Sequence, residues 1–188
     1  IRPFKTFSVK DLIEGSQSTI SRFPTPQTYI PYIMFTSGST GSPKGVAIKE
    51  PGLIEFIHWT AERFEITPQS TLTNVNPIYF DNSVFDFYAS VSHGADLIVC
   101  EKSQVDNPVE LMEYLSRFNP TIWFSVPTMI RYLMKFRQFK SANFPALSYI
   151  VFGGEPFPKS DLKKIYEEFK DLTQLVNVYG PTECTCIA

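Results

Sequence analysis

The chain has 188 residues, a formal net charge of -2, 43% hydrophobic and 19% charged residues, which is typical of one globular domain with its own core. No basic run alternates with aromatic residues, and no apolar stretch approaches the roughly 20 residues of a membrane span. We therefore expect neither a nucleic-acid partner nor membrane insertion. Cys100, Cys184 and Cys186 lack zinc or disulfide-framework spacing, which predicts reduced thiols in a cytoplasmic protein.

The first predicted elements are a short strand and a weak helix within residues 1–17, followed by a Ser/Thr/Pro-rich surface connection over residues 18–28. Two β-rich runs, at residues 29–36 and 46–50, then flank a glycine-rich loop, which predicts a turn between two strands. A helix is predicted over residues 51–64, because its apolar side chains recur at helical spacing.

From about residue 70 onward, predicted strands alternate with predicted helices. The strands cover residues 70–77, 95–100, 121–126, 147–154 and 174–180, and the second of them is expected to be buried. The helices cover residues 83–94, 107–119, 127–136 and 158–171, with Asn107 as an N-cap and Gly94 as a C-cap. This alternation indicates an α/β fold with a mostly parallel sheet flanked by helices. Ligands bind such sheets at the carboxyl ends of the strands, where NPIYFDNS, FGGEPF and NVYGPTE are expected.

The glycine-rich loop TSGSTGSPKG spans residues 36–45. Lys44 follows Pro43 and precedes Gly45, so no register matches the pattern G-x-x-x-x-G-K-[ST], and we exclude a P-loop nucleotide hydrolase. The loop still suits phosphate, because its glycines turn backbone amides toward an anion while its hydroxyls and lysine add donors and charge. The alternative interpretation is a flexible polar hairpin turn.

The segment TSGSTGSPKGV resembles the signature loop of the adenylate-forming superfamily, which includes acyl-CoA synthetases, luciferases and amino-acid adenylation domains. FGGEPFP (152–158) and NVYGPTE (177–183) resemble two further motifs of that family, in the same order. The resemblance implies that the loop wraps the β- and γ-phosphates of ATP. The residues that carry this role are Thr36, Ser37, Gly38, Ser39, Thr40, Gly41 and Lys44.

The motif NVYGPTE also makes chemical sense by itself, because a carboxylate suits Mg²⁺, a hydroxyl meets phosphate and an aromatic ring stacks on a purine. The resemblance assigns the metal to Glu183 and the α-phosphate to Thr182, and with Lys44 these form the expected catalytic set. It assigns adenine to Gly154, Glu155, Asn177, Tyr179 and Gly180. The alternatives are a plain β-turn with a solvated Glu183, and a Glu155 side chain that caps the helix after it.

The segment YFDNSVFD (79–86) resembles the F-D-x-S-V motif of amino-acid adenylation domains, in which the aspartate pairs with the substrate ammonium group. Asp81 matches that aspartate, and Phe80 stands where acyl-CoA synthetases typically have histidine. A carboxylate in a partly dry pocket needs a cation, which an amino acid supplies and a fatty acid does not. The alternative for Asp81 is an N-cap, and Asp86 is expected to be a helix-surface charge.

Within the amino-acid-activating group, these segments look most like the D-alanine–carrier-protein ligases. Gly153 stands where that subgroup tends to have cysteine against the substrate side chain, so a larger or L-configured amino acid is the alternative to D-alanine. The resemblance implies an amino acid and a phosphopantetheinyl carrier protein as partners. The two histidines, His58 and His93, are interpreted as structural.

The family's full chain is more than twice this length. Its T-G-D motif, hinge and C-terminal lid domain are not found after Glu183, so we expect residues 1–188 to be a single partial AMP-binding domain, a central fragment of the large N-terminal domain. We expect no turnover from this fragment alone. Two alternative functions stay open at this point, an aryl- or acyl-CoA ligase and a non-catalytic nucleotide-binding module.

Overall fold

A computed structural model describes residues 29–36 and 42–187. The elements predicted within residues 1–28 lie outside these ranges. The strands are β1 Tyr32–Thr36, β2 Lys44–Ile48, β3 Thr71–Asn74, β4 Asp96–Val99, β5 Ile122–Ser125, β6 Tyr149–Gly153 and β7 Gln174–Val178. The helices are α1 Glu50–Phe64, α2 Asn82–His93, α3 Lys102–Val105, α4 Pro108–Ser116, α5 Pro127–Lys135 and α6 Lys159–Phe169, and 3-10 turns cover Ser141–Asn143 and Thr182–Cys184. None of the described helices is both long and apolar enough to cross a membrane.

Strands β3 to β7 form one parallel sheet in the order β4-β3-β5-β6-β7, which confirms the predicted α/β architecture. The predicted strands and helices from residue 51 onward all occur. Asn107 caps α4 with its side chain and Gly94 ends α2 with a φ of 66°, both as predicted. Helix α3 and the two 3-10 turns were not predicted, since segments of three or four residues carry too little periodicity to identify.

Neighbouring residues of the central strands face opposite sides of the sheet. Ile122 and Phe124 of β5 enter the hairpin-side core, which the strands share with α1, α2 and the β1–β2 hairpin. Trp123 of β5 enters the second core, together with residues of α4, α5 and α6. Strand β4 is the edge of the described sheet, and its ends, Asp96 and Val99, are exposed, so the prediction of a buried strand at this position is wrong.

The glycine-rich loop joins the two strands of an antiparallel hairpin. Tyr32 of β1 pairs with Ile48 of β2 at the open end of the ladder, and Thr36 pairs with Lys44 at the end next to the loop. This confirms the predicted turn between two strands, in contrast to the strand-loop-helix order of a P-loop. The loop residues 37–41 lie outside the described part of the chain.

The sheet is wound in two directions from its middle. Helix α2 follows β3 and packs in the hairpin-side core, whereas α5 follows β5 and packs in the second core. The chain therefore leaves these two neighbouring strands toward opposite faces. In such sheets a crevice opens at this switch point, beyond the carboxyl ends of the strands, and ligands bind there.

Candidate functional site

A cavity of about 440 Å³ lies at the switch point, within the size range of small-molecule sites. The loop after β3 contributes Phe80 and Asp81, Val126 follows β5, and Gly154 and Glu155 follow β6. The structure thus brings together two of the three segments that the sequence placed at the carboxyl ends of strands.

The third segment meets the first through a direct hydrogen bond. The Thr182 hydroxyl donates to Oδ2 of Asp81 at 2.5 Å, although the two residues are 101 positions apart in the chain. Asp81 directly precedes α2, yet its side chain makes no capping hydrogen bond to that helix. Asp81 thus occupies the N-cap position of the alternative interpretation, but its partly buried carboxylate bonds to the loop after β7 and does not cap the helix.

The loop after β7 exposes the groups that were expected to meet a nucleotide. The side chain of Tyr179 is 82% exposed, so its ring is open to stacking, and Asn177 and Glu183 are exposed as well. The 3-10 turn that contains Thr182 and Glu183 lies against β2, the strand that begins at Lys44. Strand β2 therefore contacts the loop after β7, while Thr36 and Lys44 pair with each other at the end of the hairpin next to the glycine-rich loop.

Glu183 offers one exposed carboxylate to a magnesium ion at the loop after β7. Within residues 29–36 and 42–187 no group of three His, Cys, Asp or Glu side chains could hold a metal ion by itself. Mg²⁺ characteristically takes one or two protein carboxylates and completes its shell with phosphate oxygens and water. The exposed Glu183 carboxylate beside the Thr182 hydroxyl fits such an ion together with a bound nucleotide, and not as a resident metal centre.

Glu155 uses its side chain to cap a helix. Its Oε2 accepts hydrogen bonds from the backbone N–H of Thr128, at 3.2 Å, and from the Thr128 hydroxyl. The capped helix is α5, since Thr128 lies in its first turn, 27 residues before Glu155. The alternative that Glu155 caps the following helix is therefore wrong. The preceding Gly154 has a φ of 83°, a left-handed conformation that favours glycine.

Two other predicted site glycines are close-packed against backbone. A Cβ on Gly153 would stand 2.4 Å from the carbonyl oxygen of Val178, its partner in the β6–β7 ladder. A Cβ on Gly180 would stand 2.6 Å from Cα of Ile187. Packing of the backbone by itself explains glycine at both positions, and contact of Gly153 with a substrate stays a prediction.

The position of Asp86 contradicts the prediction of a helix-surface charge. This residue is fully buried and not a surface charge, and burial raises the pKa of its carboxyl group to about 8 against the opposing effect of hydrogen bonds from Asn76 and Asn74. The distribution of apolar residues along α2 does not indicate that Asp86 is buried, because the apolar Phe87 and Val91 are exposed while Asp86 faces inward. The one sequence signal was the pair of asparagines at the end of β3.

Tyr32 is a second buried polar residue near the site to which the sequence analysis assigned no role. Its hydroxyl is buried and has no hydrogen-bond partner among the described residues. Burial raises the pKa of this phenol, and the Cys186 thiol and the Asp81 carboxylate raise it further. The first residue of the hairpin therefore lies in the electrostatic neighbourhood of Asp81.

The structural interpretation of the histidines and the reduced state of the cysteines stay predictions. His58 is exposed, and a ring nitrogen of His93 lies 2.9 Å from the carbonyl oxygen of Ala89 within its own helix. Cys100, Cys184 and Cys186 are free thiols.

A parallel sheet wound in two directions, with a cavity and polar side chains at its switch point, defines a ligand-binding α/β domain. The model of one family, described as AMP-binding enzyme, matches residues 8–188. The chain belongs to this family, which confirms the resemblance drawn from the three sequence motifs.

The most similar proteins include carrier-protein ligases. An L-proline–[L-prolyl-carrier protein] ligase of Pseudomonas fluorescens is 32% identical over 171 residues, which cover 91% of this chain and 34% of the relative. A D-alanine–D-alanyl carrier protein ligase of Bacillus cytotoxicus is 32% identical over 188 residues, covering 97% of this chain and 37% of the relative. The chain thus spans little more than a third of the length of these curated relatives.

A solved structure supports the same family. The adenylation domain AlmE of Vibrio cholerae, in complex with glycyl-adenosine-5'-phosphate, matches with a TM-score of 0.75 and 30% identity. The match covers 86% of this chain and 30% of that one. The parallel sheet described above is therefore the architecture of an adenylation domain.

Proposed function

We propose that this chain forms the central part of the large domain of an ATP-dependent ligase. The intact enzyme activates the carboxylate of an amino acid as an aminoacyl-adenylate and passes it to the phosphopantetheine thiol of a carrier protein. The observation that carries the proposal is the Thr182–Asp81 hydrogen bond, which joins the expected phosphate ligand and the expected ammonium ligand at one crevice. The carrier-protein ligases among the relatives support it.

In the first half-reaction a carboxylate oxygen of the amino acid attacks the α-phosphorus of ATP. A new P–O bond forms as the bond to pyrophosphate breaks, and the protein acts mainly by positioning the reactants and neutralising charge. Asp81 holds the ammonium group, Thr182 donates to the α-phosphate, and Lys44 with the glycine-rich loop neutralises the departing pyrophosphate. Mg²⁺ bound at Glu183 would add positive charge beside the phosphates.

In the second half-reaction the thiol sulfur attacks the activated carbonyl carbon, and AMP leaves as the thioester forms. Tyr179 stacks on the adenine and Asn177 binds its amino edge, so the nucleotide keeps the same position through both half-reactions. The backbone of Gly154, Glu155 and Gly180 borders the base. A cytoplasmic location, where ATP is available, is part of the same proposal.

The test is ATP–pyrophosphate exchange by the intact protein, assayed with amino acids, aryl acids and fatty acids. Exchange is expected with amino acids only. Asp81→Ala is expected to lower kcat/KM for the amino acid roughly 10- to 100-fold, because a hydrogen bond to a charged group contributes about 1.5–3 kcal/mol. Asp96→Ala is the matched control, since Asp96 is exposed at the far end of the edge strand.

Two other results of the exchange assay would indicate a different function. Exchange with aryl or fatty acids that survives Asp81→Ala would establish an acyl-CoA ligase. An absence of exchange, together with calorimetric binding of ATP and Mg²⁺, would establish a non-catalytic nucleotide-binding module.

A further inference from the structure

Asp86 is a buried acidic group that the proposed chemistry does not use. It lies in α2, five residues after Asp81, and its side chain is fully buried beside Phe85 and Ala89 of the hairpin-side core. The proposed reaction gives this carboxyl group no substrate to bind. Its role must therefore come from its contacts inside the protein.

Those contacts tie three elements together. Oδ2 of Asp86 accepts hydrogen bonds from Nδ2 of Asn74 at 3.1 Å and from Nδ2 of Asn76 at 3.0 Å. Asn74 ends β3, and Asn76 also donates to the carbonyl oxygen of Phe124 in β5 at 2.9 Å. One carboxyl group of α2 thus holds the end of β3 and, through Asn76, the neighbouring strand across the switch point.

This network surrounds the start of the loop that carries Asp81. The loop runs from Val75 to Asp81, is fixed near its beginning at Asn76, and enters α2 at its end. Between these points Ile78, Tyr79 and Phe80 are all more than half exposed, so their side chains add little buried packing. The Ser83 hydroxyl of α2 donates to the carbonyl oxygens of Ile78 at 3.3 Å and of Phe80 at 2.7 Å, so α2 holds the later part of the loop and Asn76 holds its beginning. The position of Asp81 therefore depends on both attachments.

The energetics argue against a purely stabilising role. A buried carboxyl group loses its hydration, and replacing buried ionic or polar groups with apolar ones of similar size is often neutral or stabilising. The second oxygen, Oδ1, has no partner among the described residues, so this network leaves part of that cost uncompensated. An apolar residue would pack here at lower cost, but it would not hold the asparagines.

We propose that Asp86 is a positioning residue that fixes the loop Val75–Asp81 across the switch point and thereby directs the Asp81 carboxylate at the ammonium group of the amino acid. The inference rests on the proposed function and deepens it. In this proposal the hydrogen bonds of Asp86 support the part of the site that binds the amino acid, and not the part that binds ATP.

The test is steady-state ATP–pyrophosphate exchange by the intact enzyme with Asp86→Leu and Asp86→Asn. Asp86→Leu is expected to raise KM for the amino acid roughly tenfold, the effect of weakening one charged hydrogen bond, while KM for ATP stays within about twofold. Asp86→Asn, whose amide oxygen accepts from both asparagines, is expected to restore KM to near the unaltered value.

Two further variants separate positioning from general damage to the core. Asn76→Ala cuts the link from the loop side and leaves α2 intact, and it is expected to reproduce the rise in KM for the amino acid even if Asp86→Leu fails to fold. Ser90→Ala is the matched control, because Ser90 is fully buried in the same helix but its hydroxyl bonds only to the carbonyl oxygen of Phe87. It is expected to leave both KM values unchanged.

The failure of the inference is distinct from the failure of the proposed function. Exchange by the unaltered enzyme with amino acids tests the function, and its absence would overturn both. If the unaltered enzyme is active, equal effects of Asn76→Ala on both KM values, or an effect on kcat alone, would overturn the positioning role.

Discussion

Thr182 and Asp81 bind each other in the structure, although each is expected to bind a different substrate. Their hydrogen bond gives the partly buried Asp81 carboxylate a donor within the protein. A carboxylate without a donor at such a position is costly. The two side chains therefore stabilise each other across the loops that they belong to.

Removal of the Thr182 hydroxyl is expected to destabilise the free enzyme more than the amino-acid-bound enzyme. Thr182→Val should lower the free energy of unfolding by about 1 kcal/mol without substrate, because Asp81 loses its donor. Saturating amino acid should reduce that deficit, since the ammonium group replaces the hydroxyl. Chemical denaturation of the intact protein, with and without amino acid, measures both values.

Thr182→Ser is the control for this prediction, because it keeps the hydroxyl and should behave like the unaltered protein. A deficit that the amino acid does not change would mean that the ammonium group binds elsewhere than Asp81.

The pairing of Asp86 shows why the sequence assigned a role to Asp81, which precedes α2, but misplaced Asp86 within that helix. Asp81 belongs to a recognisable motif whose chemistry is local, whereas the burial of Asp86 depends on which face of the helix meets the sheet. The helix exposes Phe87 and Val91, so the apolar residues do not mark its inward face. Only the position of β3 beside α2 reveals the partners of Asp86, and that is a property of the tertiary fold.

At the scale of elements, α5 depends on a distant side chain for its N-terminus. Its own N-cap residue, Val126, makes no side-chain hydrogen bond, and Glu155 from the loop after β6 supplies the acceptor. Helix N-termini need such acceptors, because their first backbone N–H groups have no partner within the helix. The contact also ties the two loops that form one wall of the cavity.

Glu155→Ala is therefore expected to lower the free energy of unfolding by about 1 kcal/mol, the typical cost of losing an N-cap. Urea denaturation of the intact protein measures it. Glu167→Ala is the matched control, since Glu167 pairs only with Lys170 on the exposed surface of α6 and should change little. If both variants lose the same stability, Glu155 does not act as a cap.

The elements themselves were readable from the sequence to different degrees. Strands β5 and β6 are continuous buried runs, so their apolar character predicted them, and α1 was predicted from the helical spacing of its apolar residues. Strand β4 was predicted as buried because the run ADLIVC is apolar, but apolar character does not reveal whether a strand has one neighbour or two. The predicted strand 70–77 ends too late, since the chain leaves the ladder at Asn74, and Asn76 and Pro77 are residues that strands disfavour.

At the scale of the whole molecule, the site depends on lateral strand order, which the sequence did not specify. The motifs predicted that three loops would share the carboxyl edge, but not that β3 and β5 would be neighbours with the switch point between them. Chain order alone permits several arrangements, because any parallel strand can follow a helical crossover. The β1–β2 hairpin packs on the hairpin-side core, a contact that sequence spacing did not predict.

The buried carboxyl group of Asp86 makes the stability of the whole fold depend on pH. Burial raises its pKa from an ordinary 3.8 to about 8, so between these values the folded protein holds a proton that the unfolded chain releases. The contribution of this group is therefore fully present below pH 4 and is lost as the pH rises toward 8, with a slope of up to ~1.4 kcal/mol per pH unit. Cys100 and Cys186 lie near Asp86, but burial raises the pKa of both thiols, of Cys100 to about 12, so neither ionises in this interval.

The pH dependence is best measured as a difference between two proteins. Asp86→Asn cannot ionise, so the free energy of unfolding of this variant minus that of the unaltered protein should increase from pH 5 to pH 8 and level off above it. Groups that titrate in both proteins cancel in this difference. A difference that stays constant from pH 5 to 8 would mean that Asp86 is already ionised in the folded state, because only a carboxyl group that stays protonated there can couple its proton to folding.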